Sequence, residues 1–207
     1  MIRNVKKPEE RRAQILEVAG SLFKSRGYDV TSVEEIVRGV GVAKGTFYYY
    51  FKSKEDVLAA LACEMVAQMA ELSKTIADDP AMGAIEKICI IIREQKKIQV
   101  AGQDVMDGLH RPENRELHER SNIETVLVFG PILARVIEQG QREGVFQLDD
   151  PLATVQFILA GSLFLFGHGV FNWTLEEEIA RTRAMLILIE RGLGAAAGSF
   201  DPIFHDA

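Results

Sequence analysis

Residues 47–51 read Phe-Tyr-Tyr-Tyr-Phe, five consecutive aromatic rings that hold three of the chain's four tyrosines. Side chains of a strand alternate between faces and those of a helix spread around its axis, so neither element can bury all five on one side. The run therefore requires an element with two working faces. On a helix Phe47 and Phe51 lie four apart and share one side, while Lys44 aligns with Tyr48 and Gly45 with Tyr49 on another. This places the phenylalanines inside and Tyr48 and Tyr49 outside. Tyr50 lies near the Phe47 face, where it either packs or keeps an outward hydroxyl.

The punctuation around the run predicts helices throughout. An apolar stripe at Ile15, Ala19, Leu22 and Phe23 ends at Gly27, a residue suited to terminating a helix. Thr31-Ser32-Val33-Glu34 fits a capping box opening a second helix to about Arg38, and Gly39-Val40-Gly41 supplies a tight turn before the helix of the aromatic run. Ser53-Lys54-Glu55-Asp56 opens a fourth helix, whose run ends at Asp78-Asp79-Pro80. Further helices are expected over 81–101, 104–110 and 113–143, the last kinked at Gly130-Pro131. Asp150-Pro151 and the box Thr174–Glu177 open two more. No segment shows period-2 alternation. The expected fold is all-α, with about nine helices: a three-helix helix-turn-helix over residues 1–55, linked by helix 4 to a helical bundle within 56–207.

Composition fits a globular chain, with 47% hydrophobic and 26% charged residues. The net charge of −6 alone discourages a nucleic-acid partner, but it is unevenly distributed. Residues 1–55 hold 11 Lys+Arg against 7 Asp+Glu, and the remainder 13 against 23, so the basic end is suited to a polyanion. Cys63 and Cys89 lack a Cys-x-x-Cys spacing and read as small buried hydrophobes in a reducing compartment. The N-terminus has no apolar signal core, and the most apolar window, 157–171, is shorter than a membrane span and broken by Gly161, Gly167 and Gly169. A cytoplasmic protein is expected.

Lys44, Gly45 and Thr46 occupy the first turn of the aromatic helix, the part of a helix-turn-helix that enters the major groove. Glycine there lets the backbone approach a base edge. Tyr48 and Tyr49, one turn on, are placed for phosphates, and Lys54 adds charge at the next helix start. The stretch from Thr31 to Leu61, TSVEEIVRGVGVAKGTFYYYFKSKEDVLAAL, closely resembles the DNA-binding signature of the tetracycline-repressor-like (TetR) family of bacterial transcription regulators. The matching positions are Thr31, Ile36, Gly41, Val42, Lys44, Gly45, Thr46, Tyr48, Phe51, Lys54 and Leu58, and the detailed similarity covers about residues 10–62. Ala43 stands where many members have a capping serine, and Tyr50 where histidine is common. The resemblance implies a homodimeric repressor released from a palindromic DNA operator by a small molecule. Thr31, Lys44, Gly45, Thr46, Tyr48, Tyr49, Tyr50 and Lys54 are the candidate DNA contacts.

Beyond residue 62 the resemblance is architectural only. An effector pocket is expected among Met106, His110, Phe129, Phe164, His168 and Trp173, and a largely apolar ligand would fit them. Helices around Phe157–Phe166 and Ile179–Leu193 are apolar nearly all round, which suits either an ordinary core or a four-helix dimer interface including Phe157, Phe164, Leu186, Ile189 and Leu193. His110 and His118 lie near three glutamates, but eight residues apart with Pro112 between them, a poor spacing for helical metal ligands. Neither a nucleophile motif nor a phosphate-binding loop appears, so no catalysis, metal or cofactor is expected. Two other readings stay open: a DNA-binding protein answering to a protein partner or acting architecturally, and a helical metal protein or enzyme built on the histidines.

Overall fold

The computed structural model describes residues 7–167, 171 and 173–205, and every regular element among them is helical. The order is α1 (Pro8–Arg26), α2 (Val33–Val40), α3 (Lys44–Tyr50), α4 (Lys54–Ala77), α5 (Ala84–Ala101), α6 (Gln103–Leu109), a 3-10 turn (Pro112–Asn114), α7 (Arg115–Glu143), α8 (Pro151–Phe166), α9 (Leu175–Leu193) and α10 (Pro202–His205). The all-α expectation holds. α7 continues through Pro131 as one helix. Two compact units form. One holds the described residues up to Met65 with Gln99–Ser121, and the other holds Val66–Ile98 with the described residues from Asn122 on.

In the first unit α1 turns Ile15, Leu16, Ala19 and Phe23 toward Ile36 and Val40 of α2, Phe47 of α3 and Val57 and Leu58 of α4. Val105 and Leu109 of α6 complete this core. Gly108 permits that seating, because a Cβ there would lie 3.0 Å from Leu58 Cδ1 and 3.1 Å from the Tyr28 ring. The Asn114 amide fixes the next turn by donating to the Gly108 carbonyl at 2.7 Å.

The capping box of α2 is set one residue later than expected. Thr31 is 2% exposed, and its hydroxyl donates to the Gly27 carbonyl at 2.8 Å. Ser32 is therefore the N-cap, accepting from Glu35 N while the Glu35 carboxylate accepts from Ser32 N at 2.9 Å. Gly41, at φ +73, makes the left-handed turn into α3, a conformation glycine adopts without steric cost. α3 starts at Ala43 without a side-chain cap, as the missing serine implies.

The second unit is built on Ile88 and Ile91 of α5, Val136 and Ile137 of α7, Val155 of α8, and Leu186 and Leu193 of α9. Buried Lys87 donates to the Ala77 carbonyl and to Gln139 Oε1, both at 2.7 Å, and Gln139 donates to the Met82 carbonyl at 2.9 Å. A buried ammonium needs such partners. α8 is not covered all round by its own unit. Val155 is inside, whereas Phe157 is 81% and Phe164 60% exposed, seven residues apart on one face. On α9 the exposed apolar residues are Leu175, Ile179, Ile187 and Leu188. Leu186 and Leu193 are buried within the unit, which removes these two from a face open to a second copy, and Ile189 is half-buried against the same core. No helix among the described residues is long and apolar enough to cross a membrane.

Candidate nucleic-acid interface

α3 separates the aromatic run as its helical spacing predicts. Phe47 is fully buried and Phe51 nearly so, their rings 6.0 Å apart, while Tyr48 and Tyr49 are exposed. Tyr50 is half-buried: it packs against the head core and meets the Tyr49 ring edge-on at 4.9 Å. Gly45 has open space where a Cβ would stand, and Thr46 is half-buried beside it. The outer face of α3 thus presents a cation, a bare stretch of backbone and two phenols within two turns.

The cation is not loose. Lys44 Nζ is hydrogen-bonded to Glu34 Oε1 in the first turn of α2 and lies 6.0 Å above the Tyr48 ring. The pairing raises the Lys44 pKa and lowers that of Glu34. Both side chains are more than half exposed, so the pair stands in solvent at the outer face of α3. Glu35 has a different role: the Ser32 amide and hydroxyl hold its pKa down, and it reaches Arg26 at 2.5 Å.

Two expected phosphate contacts face elsewhere. Thr31 is buried, with its hydroxyl engaged inside the α1–α2 loop. Lys54 donates to the carbonyls of Tyr28 at 2.8 Å and Asp29 at 3.3 Å, with its ammonium 4.1 Å from the Tyr28 ring centre. The start of α4 is already capped: Ser53 Oγ accepts from Asp56 N, and the Asp56 carboxylate accepts from Lys52 N. Exposed Lys52 is left at this end.

Tyr28, not anticipated from the sequence, is the hub of this corner. It is 5% exposed, packs edge-on to Phe23 at 5.1 Å and donates to Glu55 at 3.3 Å. Burial pushes its pKa up to about 12. Next to it Asp29 pairs with Arg111, joining the α1–α2 loop to the segment after α6.

The expected effector residues fall in both units. Met106 packs on the head core, and His110 lies in the same unit. Its ring meets that of buried His118 at 4.9 Å, a proximity that their spacing argues against. Phe129 is buried in the second unit, and Phe164 and Trp173 belong to an aromatic group there, with Trp173 stacked on Phe171 at 5.0 Å and under Arg181 at 4.3 Å. His168 lies outside the described residues. A hollow of about 490 Å³ in the second unit is lined by Ile85, Cys89, Ile90, Arg93, Glu143 and Val145, none of them in the expected set. Cys89 is buried, as expected, but Cys63 is exposed. Among the described residues no group of three or more His, Cys, Asp or Glu side chains is placed to hold a metal.

A small three-helix head with a glycine turn, and a third helix that buries its phenylalanines while exposing Lys44, Tyr48 and Tyr49, defines a helix-turn-helix DNA-binding regulator. Known proteins agree. Residues 15–61 match the bacterial regulatory proteins of the tetR family, and residues 97–186 match a tetracyclin repressor-like C-terminal domain. The chain belongs to the TetR family of bacterial transcription regulators. The fatty acid metabolism regulator protein of Bacillus subtilis strain 168 is 25% identical to it over 187 residues, covering 87% of this chain and 94% of that protein. A TetR/AcrR-family regulator from Thermobifida fusca is 29% identical with a TM-score of 0.58, covering 86% and 97% of the two chains. The fatty acid degradation regulator FadR from Bacillus halodurans is 25% identical with a TM-score of 0.56, covering 78% and 88%.

Proposed function

We propose that the protein is a cytoplasmic homodimeric repressor that leaves a palindromic operator when a largely apolar small molecule binds within residues 56–207. The two-faced α3 on its helix-turn-helix carries this reading. Residues 1–55 form the reading head, in which Lys44, Gly45 and Thr46 approach bases and Tyr48 and Tyr49 hold phosphates. Tyr50 lends its hydroxyl from the edge of the core, and Lys52 replaces Lys54 and Thr31 as the nearby phosphate ligand. The exposed stripes of Phe157 and Phe164 on α8, and of Ile179, Ile187 and Leu188 on α9, support a two-fold four-helix interface. Two such heads about 34 Å apart would read half-sites on one face of the duplex. An apolar effector is supported by the two relatives named for fatty acid regulation and by the apolar Phe129, Phe164 and Trp173 side chains of the second unit.

The effector acts by binding the released state more tightly than the DNA-bound one, since equal affinity for both shifts nothing. Footprinting across the region upstream of the protein's own gene locates the operator. Lys44→Ala should then weaken operator binding in a gel-shift titration while leaving the dimer folded, and unchanged affinity removes the assignment. A thermal-shift panel including fatty acids and acyl thioesters tests the effector. A stabilising compound that leaves operator occupancy intact refutes release by that ligand.

A further inference from the structure

We infer that Glu34 is a specificity-determining residue that acts through Lys44, suppressing its attachment to DNA phosphates while leaving it competent toward a base edge. This rests on the helix-turn-helix reading above. A carboxylate beside the reading face of a polyanion binder lowers affinity, so its presence asks for a use. The capping box of α2 is made by Ser32 with Glu35, which also takes Arg26, and Glu34 beside them accepts only from its own first-turn amide on that helix. Glu34 reaches instead across to α3 and holds the ammonium of Lys44, the residue that opens the recognition helix. The Tyr48 ring bounds the ammonium on another side, at 6.0 Å, so its position is set by two neighbours.

The chemistry of the two DNA targets then separates. A phosphate that takes Lys44 for itself exchanges one anion for another and leaves the Glu34 carboxylate facing the DNA backbone. That exchange gains little and adds repulsion. A guanine edge offers the neutral acceptors N7 and O6, and an ammonium has three donors. Lys44 can therefore serve a base with one or two of them while Glu34 keeps the remaining one. Glu34 taxes the sequence-independent mode and spares the sequence-reading mode.

The test uses the full-length protein. The wild type first enriches a binding sequence from a randomised 30-bp duplex library. Its affinity for the enriched duplex and for poly(dI-dC) is then measured across a salt series and compared with Glu34→Gln, Lys44→Gln and the double variant, all verified as folded by circular dichroism. Glu34→Gln should tighten poly(dI-dC) binding about three- to tenfold and steepen its salt dependence by about one ion per head. The enriched duplex should change less, so discrimination falls. In the Lys44→Gln background the Glu34 substitution should lose this effect. Unchanged poly(dI-dC) affinity, or an effect that persists undiminished without Lys44, overturns the inference. If the wild type enriches nothing and binds neither duplex, the regulator reading fails with it; if it enriches a sequence and Glu34→Gln discriminates equally well, only the role of Glu34 fails.

Discussion

Phe47 and Tyr49, two residues apart on opposite sides of one turn, offer a direct test of how α3 is built. Phe47 is 0% exposed at the centre of the head core, and Tyr49 is 78% exposed two residues later. A buried phenylalanine ring removes about 200 Å² from water, worth about 5 kcal/mol at about 25 cal/mol/Å². Measured Phe→Ala changes in cores cost about 3–5 kcal/mol because the surroundings relax only in part. Since about 1 kcal/mol moves the melting temperature of a unit this size by about 4–8 °C, Phe47→Ala should lower it by at least about 12 °C or unfold the head. Tyr49→Ala loses only an edge-on contact with Tyr50, under about 1 kcal/mol. Its cost should appear in DNA affinity instead, about fivefold per head for one lost phosphate hydrogen bond. Thermal unfolding followed by circular dichroism, paired with fluorescence anisotropy on the footprinted operator, separates the two losses. Equal melting temperatures for Phe47→Ala and wild type, or equal destabilisation by both substitutions, would refute the two-face assignment.

Other sites give sharper physical signatures. Tyr28 has its pKa raised to about 12, so in the folded protein it stays protonated where the unfolded chain begins to ionise. Its stabilisation is complete below about pH 10 and is lost as pH rises from there to about 12, at most about 2.7 kcal/mol. Urea titrations at pH 9, 10 and 11 should show this decline in the wild type and a shallower one in Tyr28→Phe; parallel declines would mean that Tyr28 is not the group involved. Phe157→Asp combined with Leu188→Asp should convert the dimer to monomer in sedimentation velocity without altering helical content, because both side chains are exposed on the single chain. A persisting dimer would place the interface elsewhere. Lys87→Ala leaves the Ala77 carbonyl and Gln139 Oε1 without their buried donor and should destabilise the second unit by about 2–4 kcal/mol in chemical denaturation.

The periodic features were legible in the sequence and the local choices between neighbouring registers were not. α3 could be read because a helix forces Phe47 and Phe51 to one side, whatever surrounds them. The start of α2 could not be fixed the same way. Thr31 with Glu34 and Ser32 with Glu35 fit one capping pattern equally well, and the choice depends on the tertiary burial of Thr31 against the Gly27 carbonyl. α9 poses the same problem in apolar form. Leu186, Ile187, Leu188 and Ile189 are all hydrophobic, so periodicity does not say which half of the helix faces its own unit and which is left for a partner. His110 and His118 defeat spacing arguments for another reason. The 3-10 turn at Pro112–Asn114 breaks the helix between them, and counting residues along one helix no longer measures distance.

Lys54 and Glu34 show how such local choices decide function. From sequence the lysine looks like a DNA ligand and the glutamate like half of a capping box. In the fold Lys54 donates to the Tyr28 and Asp29 carbonyls of the α1–α2 loop, and Glu34 stands against the cation that opens α3. Counting charges would assign Lys54 a phosphate and ignore Glu34. The hydrogen bonds make Lys54 part of what holds the head together, so its loss should lower stability together with affinity. Glu34 is exposed and outside the core, so its loss should alter discrimination with the fold unchanged. A positive charge near DNA is thus no measure of its part in binding: what decides is whether its protons are already engaged, and by which partner.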